Sequence, residues 1–452
     1  MPTFRPTGPA AKFLARVGTV SGFTMVSRVT GFLRDVVLAW VIGAGPIADA
    51  FFIAQRIPNH FRALFAEGAF NAAFVPTYAG TLERDGVARA TRFAAHVLGA
   101  LLIVQLVILA AAEIWTRGLL ILITPGFGRD PVLGALTVDL TRITFPYLLL
   151  ITVVTVYSAV LNAHHRYAAA AASPILLNVA IVACVLAVAP FVGLDKTAAV
   201  YAASIGVTLS GLMQLGQILW AMRKAGLAAK PERPVLDEEV GTFLKRLGPA
   251  IVGSGAAQIA MFVDTILAAA LPHGAVSAMY YADRLYQLPI GVIAIAVGTV
   301  LLPDLSRRFA AGDDVGARRA QKRALLWSIA LTAPFVVAFL AFPELLVRLA
   351  FARGAFDEAA ALRAAATLRA YGVGLLAIVL LRSVVPGFHA RGDTRTPMWV
   401  AFFGIGVNVA LKFWLSDRFD VSGLAFATSI GAWVNLATLV IIDRRRAAAG
   451  KS

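Results

Sequence analysis

The residues most capable of chemistry in this chain are arginines that lie inside strongly apolar sequence. An arginine at the centre of a membrane helix costs about 2.5–3.5 kcal/mol on insertion scales, so it must face water, a partner charge or a bound anion. Between residues 27 and 76 the sequence is largely apolar, yet it carries Arg28, Arg34, Asp35, Asp49, Arg56, Arg62 and Glu67. The pattern predicts a water-filled, cationic interior whose ligand would be an anion.

Composition places these residues in a membrane protein. The chain has 452 residues, of which 59% are hydrophobic and 15% are charged. Repeated apolar runs of about 20 residues indicate a polytopic helical bundle, since a membrane β-barrel would show alternation instead. The net charge of +16 lies largely in the loops between these runs. The positive-inside rule accounts for such loops, so nucleic acid is not expected as a partner.

The apolar runs predict about twelve membrane-spanning helices. They lie near residues 13–43, 47–81, 93–123, 132–161, 168–191, 197–222, 242–271, 275–305, 321–346, 362–388, 397–416 and 421–443. Basic residues concentrate in alternate loops, which predicts that both termini are cytoplasmic.

The longest loop predicts a division into two six-helix lobes. We expect an N-terminal lobe at 1–225, a cytoplasmic linker at 226–241, a C-terminal lobe at 242–443 and a basic tail at 444–452. The linker is expected to be solvated. The halves echo each other, because each predicted second helix carries charge followed by proline, at Pro58 and at Pro289. Repeats with proline-interrupted helices are typical of transporters whose substrate site lies between the halves.

Several charged residues share a helix face at heptad spacing, and their roles are open from sequence. Arg28 and Asp35 lie on one face of the first helix, so Asp35 either neutralises an arginine or supports the site. Asp49 and Arg56 repeat that spacing on the second helix, where they are either structural partners or part of a cavity. Glu67 would either cap the helix end or gate it.

The eighth predicted helix carries Asp283 and Arg284 among tyrosines. Adjacent residues on a helix point about 100° apart, so one can face the cavity while the other pairs sideways. We expect Arg284 to face the cavity. The planar guanidinium fork binds phosphate oxygens in pairs, which makes arginine well suited to a diphosphate.

A second polar set lies in the C-terminal half. It consists of Asp264, Asn408, Lys412 and Thr428. Carboxylate, amide and hydroxyl groups together suit a coupling Na⁺. Alternatively, Lys412 pairs with Asp264 and supplies a tethered cation, or the residues do not meet.

The motifs of common enzymes are missing from the sequence. There is no HExxH, CxxC or Walker A pattern, and Cys184 is the single cysteine. A transporter without a resident cofactor is therefore expected, and Na⁺ or H⁺ coupling is left open. A membrane-embedded glycosyltransferase or phosphatase would need an acidic metal site or a His/Asp/Ser constellation, and the sequence shows neither pattern. A drug/cation antiporter would be expected to have an acidic cavity, whereas the charges here predict a cationic one.

Six segments of the sequence carry a resemblance to a known family. They are SRVTGFLRD, ADAFFIAQRIPNHFRALFAEGAFNAAFVP, ITFPYLLL, MYYADRLYQLPIGV, GTVLLPDLSRRFA and PGFHARGDTRTP. On these segments the chain resembles, from about residue 13 to 440, the MurJ/MviN lipid II flippases of the multidrug/oligosaccharidyl-lipid/polysaccharide exporter superfamily. The family implies an all-α, V-shaped, pseudo-two-fold pair of six-helix lobes with a cationic cavity that alternates its access.

The resemblance also implies the substrate and the residues that bind it. The substrate would be lipid II, an undecaprenyl-diphosphate-linked sugar-peptide, moved from the cytoplasmic to the periplasmic leaflet of the bacterial inner membrane. Arg28, Arg34, Arg62 and Arg284 match the family's essential arginines, and Asp35, Asp49 and Glu67 match further acidic positions. Export of another polyprenyl-linked glycan is the alternative, and a monomer is favoured.

Two departures from the family pattern stand out. Members usually have fourteen helices, whereas about twelve are predicted here before the sequence RRRAAAGKS. Lys412 stands where a Na⁺-using member would keep an acidic or neutral ligand, which weakens the expectation of Na⁺ coupling.

Overall fold

A computed structural model describes residues 9–65, 68–124, 130–192, 195–227 and 229–449 of the chain. Throughout these residues the secondary structure is helical, with fifteen α-helices, one π-helical turn and no strand. The predicted all-α class is therefore confirmed. Seven of the described helices are long and apolar enough to cross a membrane. The count of twelve spans is consistent with the helix pattern.

The chain groups into two compact units. The first unit contains Met1–Ile42, Ala50–Leu122 and Gly128–Gln258, and the second contains Gly43–Asp49, Ile123–Phe127 and Ile259–Ser452. The division between the long segments thus falls inside the helix Glu238–Ala270 (α9), whereas the sequence suggested the linker at 226–241. The first turn of the helix Pro46–Phe65 (α2) groups with the second unit.

The helices of the first half are mostly separated by short connections. They are α1 Pro9–Val41, α2 Pro46–Phe65, α3 Gly68–Ile114, α4 Thr116–Ile123, α5 Pro131–Thr144, α6 Pro146–Ala163, α7 Ala168–Val192 and α8 Lys196–Ala225.

The second half is also built of consecutive helices joined by short connections. Its helices are α9 Glu238–Ala270, α10 Ala275–Pro289, α11 Ile295–Ala310, α12 Asp314–Ala341, α13 Pro343–Phe351, α14 Glu358–His389 and α15 Arg395–Ala449, with the π-helical turn at Ile290–Ala294. Within the second unit, α14 packs against α10, α12 and α15.

Two long helices are bent where the sequence predicted separate spans. In α3 the bend lies at Gly86, whose φ of +81° is accessible to glycine because it has no Cβ. In α15 the bend lies at Phe419 and Asp420, and Asp420 has a φ of +53°. Each bend lies between two predicted spans, 47–81 and 93–123 in the first case and 397–416 and 421–443 in the second.

The two arms of α3 are held together by stacked aromatic rings. The Phe74 ring lies 5.3 Å from that of Phe93 across the bend and 4.9 Å from that of Phe70 on its own arm. Phe243 of α9 meets the Phe74 ring edge-on at 6.3 Å. Offset and edge-on aromatic pairs add about 0.5–1.5 kcal/mol beyond area burial, so this stack fixes the angle of the bend.

The linker between α8 and α9 is docked on the first unit, which corrects the expectation that it is only solvated. The Tyr157 hydroxyl donates to the Ala229 carbonyl oxygen at 2.6 Å, and the Glu232 backbone N–H donates to the Ala95 carbonyl at 3.3 Å. A Cβ added at Gly99 would lie 1.9 Å from the Glu232 carbonyl oxygen. The linker therefore runs directly over α3 at a position where only glycine fits.

An ion pair fixes the far end of this linker. Arg89 donates from Nε and Nη2 to the two carboxylate oxygens of Glu239, at 2.9 and 2.8 Å. The His96 ring nitrogen Nδ1 lies 3.1 Å from Asp237 Oδ2. The hydrogen bonds from Arg89 hold the pKa of Glu239 below its usual range. We call residues 229–239 the strap, because they tie the start of α9 to α3 and α6.

Candidate functional site

Arg62, one of the predicted substrate-binding arginines, lines a cavity that is rich in polar groups. This residue lies in the last turn of α2, after the internal proline Pro58. Its Nε donates to Asn59 Oδ1 at 3.1 Å, one helical turn earlier. The cavity has a volume of about 370 Å³ and lies wholly within the first unit.

The walls of this cavity are rich in neutral hydrogen-bonding groups. Its polar lining residues, besides Arg62, are Asn59, Asn71, Tyr147, Thr155, Ser158, Asn162, Ser173 and Gln214. Ser173 Oγ donates to Gln214 Oε1 at 2.9 Å, whereas the buried Asn162 Oδ1 has no hydrogen-bond partner among the described residues. Amides and hydroxyls around a single guanidinium suit a ligand that is anionic at one point and richly hydroxylated or amidic elsewhere.

Arg34 is buried in a hydrogen-bond network between α1 and α7. Its Nε and Nη2 donate to Asp35 Oδ1 at 3.0 and 2.7 Å, and its Nη1 donates to Asn178 Oδ1 at 2.9 Å. Asn178 in turn donates to the Ser27 carbonyl and to Thr30 Oγ1, each at 3.1 Å. Asp35 therefore neutralises its neighbour Arg34, and the heptad pairing with Arg28 suggested by spacing is not formed.

Arg28 and Arg56 differ from Arg34 in their surroundings. Both are half-buried, and within the described residues neither forms an ion pair or a side-chain hydrogen bond. Two cationic side chains of the first unit are thus available to an anion.

Asp49 serves as an external cap for α10. Its carboxylate accepts from the Gly274 backbone N–H at 2.5 Å and from the Ser277 backbone N–H at 2.7 Å. Gly274 is the N-cap residue and has no side chain to perform this role. The sequence left open whether Asp49 pairs with Arg56 or belongs to a cavity, and in the structure its carboxylate binds backbone groups of α10.

Arg284 lies on α10 in the aromatic setting that the sequence predicted. Its guanidinium carbon is 4.5 Å from the centre of the Tyr280 ring, which is a cation–π contact. Asp283 accepts a short hydrogen bond from Gln287 Nε2, so its carboxylate points along its own helix. Tyr286 stacks on Tyr371 with ring centres 4.8 Å apart, which supports this part of α10 against α14.

Of the four candidate coupling residues, the structure brings Asp264 and Lys412 together. The Lys412 ammonium is fully buried and forms a short ion pair with Asp264, whose side chain is 26% exposed. Asn408 packs against Gly431, and Thr428 donates to the Leu424 carbonyl of its own helix. The described residues contain no cluster of three or more His, Cys, Asp and Glu side chains suited to a metal ion. The alternative in which Lys412 supplies a tethered cation is the one that the contacts match.

Sequence reasoning found Arg62 but missed the neutral residues around it. Asn59 and Asn71 lie in the motif that carried the resemblance, whereas Asn162, Ser173 and Gln214 come from α6, α7 and α8 and carry no local signal. Asn178 was also missed as the partner of Arg34, because a single amide in an apolar run does not reveal what it faces. Glu67 lies outside the described residues.

Comparison with known proteins identifies relatives over nearly the whole chain. The family model described as lipid II flippase MurJ matches residues 38–452. A probable lipid II flippase MurJ of Rhizobium meliloti is 43% identical over 430 residues, covering 94% of this chain and 80% of that protein. The lipid II flippase MurJ of Burkholderia cenocepacia is 33% identical over 429 residues, covering 95% of this chain and 83% of that protein.

Solved structures agree on the fold. A lipid II flippase MurJ in an inward closed conformation aligns with a TM-score of 0.81 at 24% identity, covering 94% of this chain and 87% of that one. An inward-facing multidrug resistance MATE family transporter of the MOP superfamily aligns with a TM-score of 0.74 at 17% identity, covering 94% of this chain and 95% of that one. These relatives and neighbours are membrane transporters rather than enzymes, and the chain belongs to the lipid II flippase MurJ family.

Proposed function

We propose that this chain moves lipid II from the cytoplasmic to the periplasmic leaflet of the bacterial inner membrane. The observation that carries the proposal is the position of Arg62 in a cavity of amides and hydroxyls inside a membrane-spanning unit. The family membership supports the same substrate.

The chemistry of the substrate fits this cavity. Lipid II joins an anionic diphosphate and a large sugar-peptide head to a very apolar tail. Carrying that head through hydrocarbon unaided would strand every polar group without a hydrogen-bond partner. In our proposal the diphosphate binds Arg62, the amides and hydroxyls bind the sugar and peptide, and the tail stays in lipid.

The remaining arginines take different parts in this proposal. Arg28 and Arg284 add positive charge for the diphosphate. Arg34 is already engaged by Asp35 and Asn178, so it acts as a positioning residue that fixes α1 against α7. Asp283 and Arg56 adjust the local charge, and a single chain suffices for transport.

The direction of transport follows from charge. We propose that both termini are cytoplasmic, because the basic loops lie on that side. The cell interior is electrically negative, so outward movement of an anion is favourable by about 2.3 kcal/mol per charge per 100 mV. The Lys412 ammonium supplies a fixed cation at Asp264, so the cycle requires no Na⁺ at that place.

Transport by vesicles tests the proposal. Purified protein is reconstituted with lipid II in one leaflet, and its appearance in the other is measured with and without an imposed potential. Replacing Arg62 with Gln should lower the rate by about 10-fold or more, because a charge-assisted hydrogen bond contributes about 1.5–3 kcal/mol. Arg117→Gln is the matched control, since Arg117 is an exposed arginine of the same unit outside the cavity.

Other outcomes would redirect the proposal. Equal rates for Arg62→Gln and the wild type would remove this cavity from the transport path. Movement of another polyprenyl-linked glycan in preference to lipid II would favour a different exporter of the same superfamily.

A further inference from the structure

A second cavity lies in the first unit, away from Arg62. It has a volume of about 500 Å³ and is bounded by α1, the α6–α7 connection and the end of α8. None of its lining residues lines the Arg62 cavity, so the two are separate. The transport mechanism proposed above makes no use of it.

One end of this cavity is cationic. His165 and Arg166 come from the α6–α7 connection, and Lys224 comes from the last turn of α8. All three are exposed, and no acidic residue is among the lining residues. Among the described residues, the Arg166 guanidinium has no ion-pair partner. The Lys224 ammonium lies 5.0 Å from the centre of the Trp220 ring and forms no ion pair within the described chain.

The rest of the wall is apolar. It is formed by Phe23 of α1, Ala169 and Ala172 of α7, and Trp220 and Ala221 of α8. Small side chains on α7 leave room between the larger rings of α1 and α8. The Gln217 Oε1 atom, which is buried at this wall, lacks a hydrogen-bond partner in the described part of the chain.

This cavity therefore has a cationic end that suits a phosphate head group and an apolar wall that suits acyl chains, as a phospholipid requires. Arginine and lysine at a membrane surface attract anionic lipid head groups, and tryptophan is enriched at the level of those head groups. We propose that this cavity is a specific binding site for an anionic phospholipid of the surrounding leaflet.

The charge complementarity decides among possible occupants. A zwitterionic phospholipid would bring an ammonium group toward Arg166 and Lys224, with no carboxylate in the lining to receive it. An anionic phospholipid such as phosphatidylglycerol places its phosphate between these two side chains. The inference requires only that the chain spans a membrane, so it stands independently of which lipid is transported.

The test must separate a built site from general attraction to a basic surface. Arg223 and Lys224 are adjacent, exposed and equally charged, but only Lys224 lines the cavity. Arg166→Gln and Lys224→Gln are the test variants, and Arg223→Gln is the matched control. Ala172→Phe fills the cavity without changing the charge.

Retention of phosphatidylglycerol by the detergent-solubilised protein is measured by native mass spectrometry, in competition with phosphatidylcholine. Each test substitution should reduce retention by about fivefold, which corresponds to the loss of one lipid-facing charge. Ala172→Phe should reduce it similarly, while Arg223→Gln leaves it unchanged. Thermal unfolding of each variant verifies that it is folded.

Three results would overturn the proposal. An equal loss in Arg223→Gln and Lys224→Gln would reveal diffuse surface attraction. Equal retention of phosphatidylcholine would remove the requirement for an anion. Displacement of phosphatidylglycerol from the wild type, but not from Ala172→Phe, by a polyprenyl diphosphate would assign the cavity to the transported class of lipid.

Discussion

At the scale of single residues, Lys412 and Asp264 present an unequal pair. The ammonium is fully buried, whereas the carboxylate keeps 26% exposure. Removing one partner of a buried ion pair is destabilising chiefly because the other charge is left uncompensated. The penalty should therefore depend on which partner is removed.

We expect Asp264→Asn to destabilise the protein more than Lys412→Met. The first substitution strands a fully buried ammonium and should cost on the order of 3 kcal/mol, whereas the second leaves a carboxylate that is only partly buried. The melting temperature in detergent, followed by tryptophan fluorescence, gives the comparison.

The double variant Asp264→Asn with Lys412→Met supplies the control for this pair. It should recover part of the loss seen in Asp264→Asn, because residues in contact are not additive. Strictly additive losses, or a larger loss in Lys412→Met, would contradict the ion-pair interpretation. Stabilisation of Lys412→Met by Na⁺, but not by K⁺, would further indicate that the ammonium occupies the place of a cation.

Residue types were more predictable from sequence than residue partners. The surplus of arginines over carboxylates in the first two helices was visible, as was the aromatic setting of Arg284. The partner of Asp35 was not, because heptad spacing suggested Arg28 while the adjacent Arg34 reaches the carboxylate directly. Long-range partners such as Asn178 depend on how α1 and α7 pack, which no local pattern shows.

At the scale of elements, α10 depends on a cap supplied by a distant part of the chain. Asp49 accepts from the backbone N–H groups of Gly274 and Ser277. A carboxylate at a helix N-terminus satisfies donors that have no partner within the helix and interacts favourably with the helix dipole. The sequence pattern of a local capping residue is missing here because the cap comes from α2.

Asp49→Ala should destabilise the protein by about 1 kcal/mol, the usual effect of losing a helix N-cap. Asp49→Asn should cost less, since its amide oxygen can still accept one of the two hydrogen bonds. Thermal unfolding of the two variants gives the measurement. Indistinguishable melting temperatures for Asp49→Ala and the wild type would show that these hydrogen bonds contribute little.

The strap is the other element whose position depends on a single close approach. Gly99→Ala would place a Cβ against the Glu232 carbonyl, so the strap must move away from α3. Gly80→Ala is the control, because a Cβ there meets nothing within 4 Å. We expect the first substitution, and not the second, to release the backbone of the strap from α3.

Proteolysis measures this release, because a protease must draw the backbone of its substrate away from neighbouring structure. Lys230 and Arg233 are each followed by proline, so trypsin is a poor probe of the strap. A protease that cleaves after glutamate can cut at Glu232. Its rate of cleavage should rise several-fold in Gly99→Ala, and an unchanged rate would contradict the docked position of the strap.

At the scale of the whole molecule, two ion pairs outside the predicted membrane spans make the free energy of unfolding depend on pH. Arg89 lowers the pKa of Glu239, and hydrogen bonds from Thr396, followed by Arg446, lower that of Asp393. A carboxyl whose pKa is lower in the folded state stabilises it above the unfolded-state pKa, which is about 4. This contribution is lost as the pH falls through the folded-state pKa.

Glu239→Gln should therefore lower the melting temperature at pH 7 by about 1–2 °C, and the difference should shrink below about pH 4. Glu238→Gln is the control, since Glu238 is the exposed neighbour. Melting curves of both variants and the wild type between pH 3 and 8 give the comparison. A difference that persists unchanged at pH 3 would contradict the role assigned to the Glu239 carboxylate.

The all-α membrane class could be predicted from sequence because membrane-spanning helices are recognised by the length and apolarity of their sequence runs. Gly86 and Asp420 interrupt α3 and α15 near the predicted breaks, so helix ends were also close. The cavity around Arg62 was less predictable, since its amides and hydroxyls come from five separate helices and no single one of them indicates a site. The strap was missed because proline and charge are equally compatible with a solvated linker.

The docked strap has a consequence for dividing the gene into two co-expressed fragments. A cut after residue 225 would leave the first fragment without the residues that cover Tyr157, Ala95 and Gly99. It would also separate Arg89 from Glu239. A first fragment that retains residues 229–239 carries its own cover. The cut would then fall within the transmembrane part of α9, which is unfavourable for membrane insertion of the second fragment. With a cut before residue 229, the strap would instead have to dock from a second chain.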